Sequence, residues 1–160
     1  MGRWYDVYAG VLKRLSPALA ARLDALGAAP QMFLLPWLLT FFSRPLGPEA
    51  AARLWDRLLT GGGGEVLRAA VALARLLEPW ILPAAAGRGS GEWAAAVAAT
   101  ARAGGEGDDD GVGPPLERVM QLLASPPAPL CNEFVVADAA DAVVLTAGEA
   151  AALAALEAGM

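Results

Sequence analysis

Apolar residues recur at helical spacing along most of the chain. Residues at i, i+3, i+4 and i+7 share one face of a helix, and apolar stripes of this kind alternate with polar positions. The first stripe consists of Tyr8, Val11, Leu12 and Leu15. The segments with apolar stripes are 4–15, 17–26, 48–60 and 115–124. A further segment, about 65–78, is apolar almost all round, so the pattern predicts an all-α fold with this helix at its centre.

Prolines and glycines bound the predicted helices in the first part of the chain. Ser16 is a predicted N-cap followed by a proline at the first helical position, and Gly27 predicts a left-handed C-cap. An internal proline costs about 3 kcal/mol in a helix. We therefore expect Pro36 to divide the next segment into two pieces, 31–35 and 36–43.

Large aromatic side chains predict where the core of this region lies. Trp37, Leu38, Phe41 and Phe42 form a wide apolar face, and each contributes roughly 1.5–3 kcal/mol if it is fully buried. Trp55 belongs to the apolar stripe of the following helix. The pattern predicts that these residues form a common interior with the apolar helix after them.

The composition changes sharply beyond the apolar helix. Residues 84–113 are rich in glycine, alanine and acidic side chains, which predicts a flexible insertion with a weak helix over about 90–102. The β-branched segments 134–136 and 143–145 could form strands. Two isolated strands are unstable alone, however, so we expect helix or loop there.

A capping box marks the last helix. Thr146 and Glu149 have the spacing of this motif, which predicts a helix that ends at about Glu157. The chain is thus expected to consist of a helical lobe, a flexible insertion and C-terminal helices that pack on the same lobe. The corresponding ranges are 1–83, 84–113 and 114–160.

Composition excludes several classes of function. The chain has no histidine and one cysteine, Cys131, which argues against histidine-based catalysis, zinc sites and disulfides. A formal charge of −5 has the wrong sign for nucleic-acid binding. The densest apolar run, 32–42, is far shorter than the roughly 20 residues of a membrane-spanning helix. Since no signal peptide is evident either, we expect a cytoplasmic protein without a transmembrane segment.

Three features that could carry chemistry have simpler explanations. The glycine run 61–64 precedes a helix, as in phosphate-binding loops, but Glu65 follows where a lysine is required. The acidic run 106–110 lacks the alternation of an EF-hand loop. Cys131 has no neighbouring base and is expected to be an inert thiol. The sequence therefore predicts no metal, no cofactor and a plain connection at the glycines.

One constellation of residues carries a resemblance to a known family. The segment Pro-Trp-Leu-Leu-Thr-Phe-Phe at 36–42 is followed after a turn by Arg-Leu-Trp-Asp at 53–56, then by the glycine run and the aliphatic helix. This order and spacing resemble the C-terminal part of the TBC domain of Rab GTPase-activating proteins. The matching positions are Pro36, Trp37, Phe41, Arg53, Trp55 and Asp56. We expect them mainly to hold the lobe together, with Arg53 and Asp56 as a local ion pair.

The resemblance implies a helical array like the C-terminal lobe of a TBC domain, and a role in regulating Rab-type small GTPases in membrane traffic. The family supplies catalysis from an arginine in Ile-x-x-Asp-x-x-Arg and a glutamine in Tyr-x-Gln. Ile81 lacks the following Asp and Arg, and neither Tyr5 nor Tyr8 is followed two positions later by glutamine. No catalytic residue can therefore be assigned, and the chain is expected to be activator-like without being an enzyme.

Two further readings stay open. The chain could be a non-catalytic helical scaffold that binds another protein partner through a groove, or a remnant without a function of its own. A lobe that lacks the other half of a TBC domain is also expected to expose apolar surface, through which it could self-associate. Such a protein would work in the cytoplasm, at the periphery of endomembranes.

Overall fold

The computed structural model describes residues 2–82, 115–127 and 135–158, and all of the regular structure in these ranges is helical. The helices are α1 (Gly2–Leu15), α2 (Pro17–Ala25), α3 (Pro30–Leu39), α4 (Ser43–Leu46), α5 (Pro48–Leu76), α6 (Glu78–Ile81), α7 (Leu116–Ala124), α8 (Val135–Asp141) and α9 (Ala147–Ala158). The predicted all-α fold is confirmed.

The first two helices pack against each other at the start of the lobe. In α1 the predicted apolar face turns inward, and Tyr8, Val11 and Leu12 are buried. Gly27 has a φ of 69°, the left-handed conformation expected after α2. Ser16 stands at the N-cap of α2 as predicted, but its side chain makes no capping hydrogen bond.

Pro36 does not divide the chain, so the two-piece prediction for this segment is wrong. A single helix, α3, runs through Pro36 and ends at Leu39. The helix buries Phe33, Leu34 and Trp37 on one side. Burying three large apolar side chains contributes roughly 1.5–3 kcal/mol each, which outweighs the cost of about 3 kcal/mol of an internal proline.

A tight turn after α3 separates two adjacent phenylalanines. Phe41 and Phe42 have φ values of 46° and 62°, both in the left-handed region. This turn directs Phe42 inward, where it is 1% exposed, whereas Phe41 is 61% exposed. The prediction that Phe41 lies in the core is therefore wrong, because the periodicity that supports it ends with α3.

Helix α5 contains the break that the glycine run predicts. Gly62, with φ 62° and ψ −155°, is the one non-helical residue inside α5 and marks a kink. The part beyond the kink is buried from Leu67 to Leu76, except at Arg68 and Arg75, which are half-buried. Helix α5 contacts α1, α4, α6, α8 and α9, as expected of a central helix.

The C-terminal helices pack on the elements already described. Helix α7 contacts α3 and α4, α8 contacts α5, and α9 contacts α1 and α5. The capping box is present: the amide of Thr146 donates to Glu149 Oε2 at 2.7 Å, and the amide of Glu149 donates to Thr146 Oγ1 at 3.3 Å. Glu149 also accepts hydrogen bonds from Arg14, at 2.8 and 3.0 Å, which link α9 to α1.

Several expectations fall on residues outside those that the structure describes. They concern the insertion 84–113, the acidic run within it, and Cys131. Residues 135–141 are helical and 143–146 have no regular structure, which confirms the expectation of helix or loop at 135–136 and 143–145, while residue 134 lies outside the described ranges. The division of the chain into a lobe, an insertion and C-terminal helices stays a prediction. No helix in the described ranges has both the length and the apolar character needed to cross a membrane.

Candidate protein-interaction surface

The six motif residues divide into an inner pair and an outer group. Trp37 is buried and Pro36 is half-buried in α3. The other four are exposed: Phe41, Arg53, Trp55 and Asp56. The structure thus brings the second group to the surface. The prediction that Trp55 lies in the core is wrong, because Trp55 is 39% exposed while the other members of its predicted stripe are buried. The ion pair between Arg53 and Asp56 stays a prediction.

Trp37 links two helices that are distant in sequence. Its indole Nε1 donates a hydrogen bond of 2.8 Å to the carbonyl oxygen of Leu123 at the end of α7. Its ring lies edge-on to Phe33 at 5.3 Å between centroids and contacts Phe42 at 6.2 Å. These contacts fix Trp37 as a core residue that holds α3, α7 and the turn after α3 together.

Trp55 holds the same turn from the outside. Its Nε1 donates a hydrogen bond of 2.6 Å to the carbonyl oxygen of Phe41. Two consecutive left-handed residues other than glycine cost of order 1–2 kcal/mol each, and such strain persists only where neighbouring contacts enforce it. The hydrogen bond from Trp55 and the burial of Phe42 provide that enforcement, so the outward position of Phe41 is well defined.

Phe41 and Trp55 have two exposed apolar neighbours along the chain, and we call these four side chains the aromatic patch. Leu59 lies one helical turn after Trp55 and is 85% exposed, and Leu39 at the end of α3 is 71% exposed. Trp55 itself is 39% exposed. Single exposed apolar residues are normal, whereas several of them in one region mark a binding surface in many proteins. The aromatic patch therefore consists of Leu39, Phe41, Trp55 and Leu59.

Arg57 anchors the helix that carries Trp55 and Leu59. Its guanidinium donates to both oxygens of Asp141, at 2.6 and 2.8 Å, to the carbonyl of Ala137 at 3.1 Å, and to Glu65 at 3.0 Å. The hydrogen bonds between these two side chains lower the pKa of Asp141 and raise the pKa of Arg57. Because Arg57 and Glu65 lie on opposite sides of Gly62, the network holds the kink of α5 against α8.

The glycine run does not present a site for an anion. Glu65 directly follows it, and its two carboxylate oxygens accept hydrogen bonds from Arg57 at 3.0 Å and Arg68 at 2.6 Å. Glu65 already pairs with the two nearby guanidinium groups, and its negative charge would repel a phosphate. Among the residues that the structure describes, no group of three or more acidic or cysteine side chains could hold a metal ion.

The sequence alone does not point to Leu39, Arg57 or Leu59. Leu59 stands outside the apolar stripe of its helix, and an isolated exposed leucine carries no signal. Arg57 is eight residues from Glu65 and 84 from Asp141, so no local spacing reveals the network. The one available signal is that Arg57 and Leu59 lie within about one helical turn of Trp55, which belongs to the motif.

Comparisons with known proteins place this geometry in a family context. The family model described as Rab-GTPase-TBC domain matches residues 1–82. Carabin from Mus musculus is 31% identical over 71 residues, which cover 44% of this chain and 16% of Carabin. The match thus spans about a sixth of that relative. No solved structure gives a significant match.

Proposed function

The chain belongs to the Rab-GTPase-TBC domain family, and from this premise we propose that it binds a Rab-type small GTPase through the aromatic patch. The observation that carries the proposal is the joint exposure of Phe41 and Trp55, both within the family motif. A motif residue that serves only the core is expected to be buried. These two are held at the surface by a hydrogen bond between them.

The composition of the patch suits a protein interface. Aromatic side chains dominate the energetics of interfaces because they bury a large area with few rotatable bonds. A charged group lies at the edge of the apolar centre, since Asp56 follows Trp55 directly on α5 and is exposed. An apolar centre with a polar rim is the usual anatomy of a specific interface.

The proposed mechanism is binding without acceleration of GTP hydrolysis by this chain. The family resemblance implies an arginine and a glutamine finger, and neither Ile-x-x-Asp-x-x-Arg nor Tyr-x-Gln occurs in the 160 residues. An arginine finger accounts for about 10³–10⁵ in rate. In this mechanism the lobe contacts the GTPase, and another polypeptide segment supplies the arginine and glutamine fingers. The lobe then needs only the binding surface described above. Such binding would place the protein in the cytoplasm at the periphery of endomembranes, in membrane traffic.

A second candidate function is a helical scaffold for a different protein partner. The same exposure of the aromatic patch favours it, because nothing in the patch is specific to a nucleotide-binding protein. Self-association through this surface is a third case. The three cases differ in what the patch binds and are separated by one experiment.

The purified chain is mixed with a panel of GTP-loaded Rab proteins, and both phosphate release and binding are recorded. We expect saturable binding to a member of the panel with no rate increase above the intrinsic rate. Leu59→Ser is expected to weaken binding about tenfold, whereas Val144→Ser, at a residue 69% exposed outside the patch, leaves it unchanged.

Acceleration of phosphate release by 10³-fold or more would overturn the non-catalytic mechanism. Absence of binding to every Rab protein would overturn the GTPase proposal and leave the scaffold. Concentration-dependent dimers in sedimentation that Leu59→Ser abolishes would assign the patch to self-association instead.

A further inference from the structure

Helix α3 is apolar on every side, yet one of its sides is uncovered. Gln31 is the only polar residue of the helix, and a helix of this composition is normally covered on all faces. Its inner side buries three large side chains, Phe33, Leu34 and Trp37. On the outer side, Met32 and Leu35 are exposed. The composition of α3 therefore indicates a further contact on its outer side.

The exposed residues of α3 form a row along one face. Met32, Leu35 and Leu39 stand at i, i+3 and i+7, which places them within about 60° of one another around the helix axis. The row is about 10 Å long, or roughly two helical turns. Leu39 belongs to the aromatic patch, so two surfaces adjoin at this residue. We call the remaining pair, Met32 and Leu35, the α3 face.

A small cavity lies beside the α3 face, between α3, α4 and α7. It has a volume of about 110 Å³, and its wall includes Met32, Pro36 and Met120. Met32 is exposed and the other two are half-buried, so the cavity can be reached from the surface. A cavity of about 150 Å³ holds benzene. The smaller one beside Met32 therefore has room for a branched aliphatic side chain such as that of leucine.

A positive charge without a partner lies at the edge of this cavity. Arg44 on α4 lines the cavity and is exposed, and every other lining residue is apolar. Within the ranges that the structure describes, no carboxylate pairs with Arg44, whereas Arg14, Arg57 and Arg68 all form ion pairs. The group that complements this cavity is therefore one carboxylate close to an aliphatic side chain.

From these observations we propose that the α3 face, the cavity and Arg44 together bind an amphipathic helix of another protein. A leucine-sized side chain of that helix fills the cavity, and a Glu or Asp about one turn away pairs with Arg44. Further apolar residues of the partner helix lie against Met32 and Leu35, as in helix-in-groove recognition. A membrane surface fits less well, since the formal charge of −5 opposes contact with anionic lipids.

The test selects helical peptides from a phage-displayed library against the full chain. The peptides have an alanine-rich scaffold of about 18 residues, long enough to form a helix, with the positions of one face randomised. We expect the selected peptides to carry a large aliphatic residue and a Glu or Asp about one turn away from it.

One selected peptide is then synthesised, together with an analogue in which glutamine replaces the acidic residue. Both are titrated with the full chain, and fluorescence anisotropy reports binding. We expect the acidic peptide to bind about two- to fivefold more tightly than its neutral analogue, which is the usual effect of one exposed ion pair.

Three variants of the chain make the result specific to this site. Arg44→Glu is expected to abolish the preference for the acidic peptide and to favour an analogue with lysine at that position. Met32→Ser is expected to weaken binding of the acidic peptide about tenfold, whereas Val144→Ser, at an exposed residue outside the site, leaves it unchanged. Because Arg44 is exposed and has no ion pair to lose, Arg44→Glu remains informative if Met32→Ser fails to fold.

The proposal is overturned if the selection yields no peptide that binds, or if the preference for the acidic peptide survives Arg44→Glu. A folded Met32→Ser chain that binds the peptide as tightly as the parent chain would also overturn it. Dimers of the parent chain that Met32→Ser dissociates would assign the α3 face to a second copy instead. Binding to phosphatidylcholine vesicles that Met32→Ser abolishes would assign it to a membrane surface.

Discussion

The indole nitrogen of Trp37 donates a 2.8 Å hydrogen bond to the carbonyl oxygen of Leu123, a residue 86 positions later in the chain. Both residues are buried, at 1% and 0% exposure. The bond satisfies one of the carbonyls at the end of α7, which a helix cannot satisfy itself. Trp37 lies in the segment 1–82 that matches the family, and it thereby holds α7, a helix outside that segment, in place.

Trp37→Phe is expected to lower the free energy of unfolding by about 2–4 kcal/mol. The change leaves a buried carbonyl unpaired and removes part of a ring from a packed core, and the two costs add. Trp55→Phe serves as the matched control, because its hydrogen bond to Phe41 lies at the surface, where water can replace it; its cost is expected to be about 1 kcal/mol or less. Urea denaturation measures both, and equal losses would contradict the assignment of Trp37 as the core link.

Asp141 is expected to make stability depend on pH in the acid range. Its hydrogen bonds from Arg57 lower its pKa below the ordinary value of 3.8. A carboxylate with a lowered folded-state pKa contributes fully above its unfolded-state pKa and loses that contribution as pH falls through the folded-state value. The difference in unfolding free energy between the parent chain and Asp141→Asn should therefore be constant near neutral pH and shrink below about pH 3.8.

Arg57→Met provides the control for this titration. In that background Asp141 has lost its partner, so Asp141→Asn should have little further effect at any pH. A pH-dependent difference of the same size with and without Arg57 would show that another group governs the titration of Asp141. Thermal unfolding followed from pH 7 to pH 2 supplies the measurement.

Gly61→Ala is expected to destabilise the protein by about 1–3 kcal/mol, the usual cost of overpacking. A Cβ at this position would overlap the Glu65 side chain, which Arg57 and Arg68 hold in place. Gly148→Ala is the matched control, since a Cβ there meets nothing within 4 Å and the residue lies in α9. It should leave stability unchanged or raise it by up to about 1 kcal/mol. Similar effects at both positions would mean that Glu65 moves aside freely.

The features that the sequence predicts well are local ones. The capping box at Thr146 and Glu149 and the inward face of α1 follow from spacing within one or two helical turns, and the structure contains both. The family resemblance is likewise a matter of order and spacing, and the match over residues 1–82 confirms it.

The features that the sequence does not predict depend on distant partners. The helix through Pro36 forms because burial of its neighbours outweighs the local penalty, and that burial is unknown before the fold is known. Arg57 bonds to Asp141 across 84 positions, which no spacing rule covers. The opposite exposure of Phe41 and Phe42 arises from a left-handed turn that neither residue favours.

The adjacent phenylalanines allow the core and the surface to be tested with one type of substitution. Asparagine tolerates the left-handed conformation better than phenylalanine does, so both Phe41→Asn and Phe42→Asn relieve backbone strain. At Phe41 little burial is lost, and the free energy of unfolding should stay the same or rise by up to about 1 kcal/mol. At Phe42 the loss of a buried ring should outweigh the relief and cost at least about 2 kcal/mol.

The same pair separates folding from binding. If the aromatic patch binds a partner, Phe41→Asn should weaken that binding about tenfold in a protein that is at least as stable as the parent chain. Such a combination cannot arise from partial unfolding, because stability and binding move in opposite directions. A Phe41→Asn protein that unfolds more easily would instead place Phe41 in the packing of the lobe, and binding that is unchanged would remove Phe41 from the interaction surface.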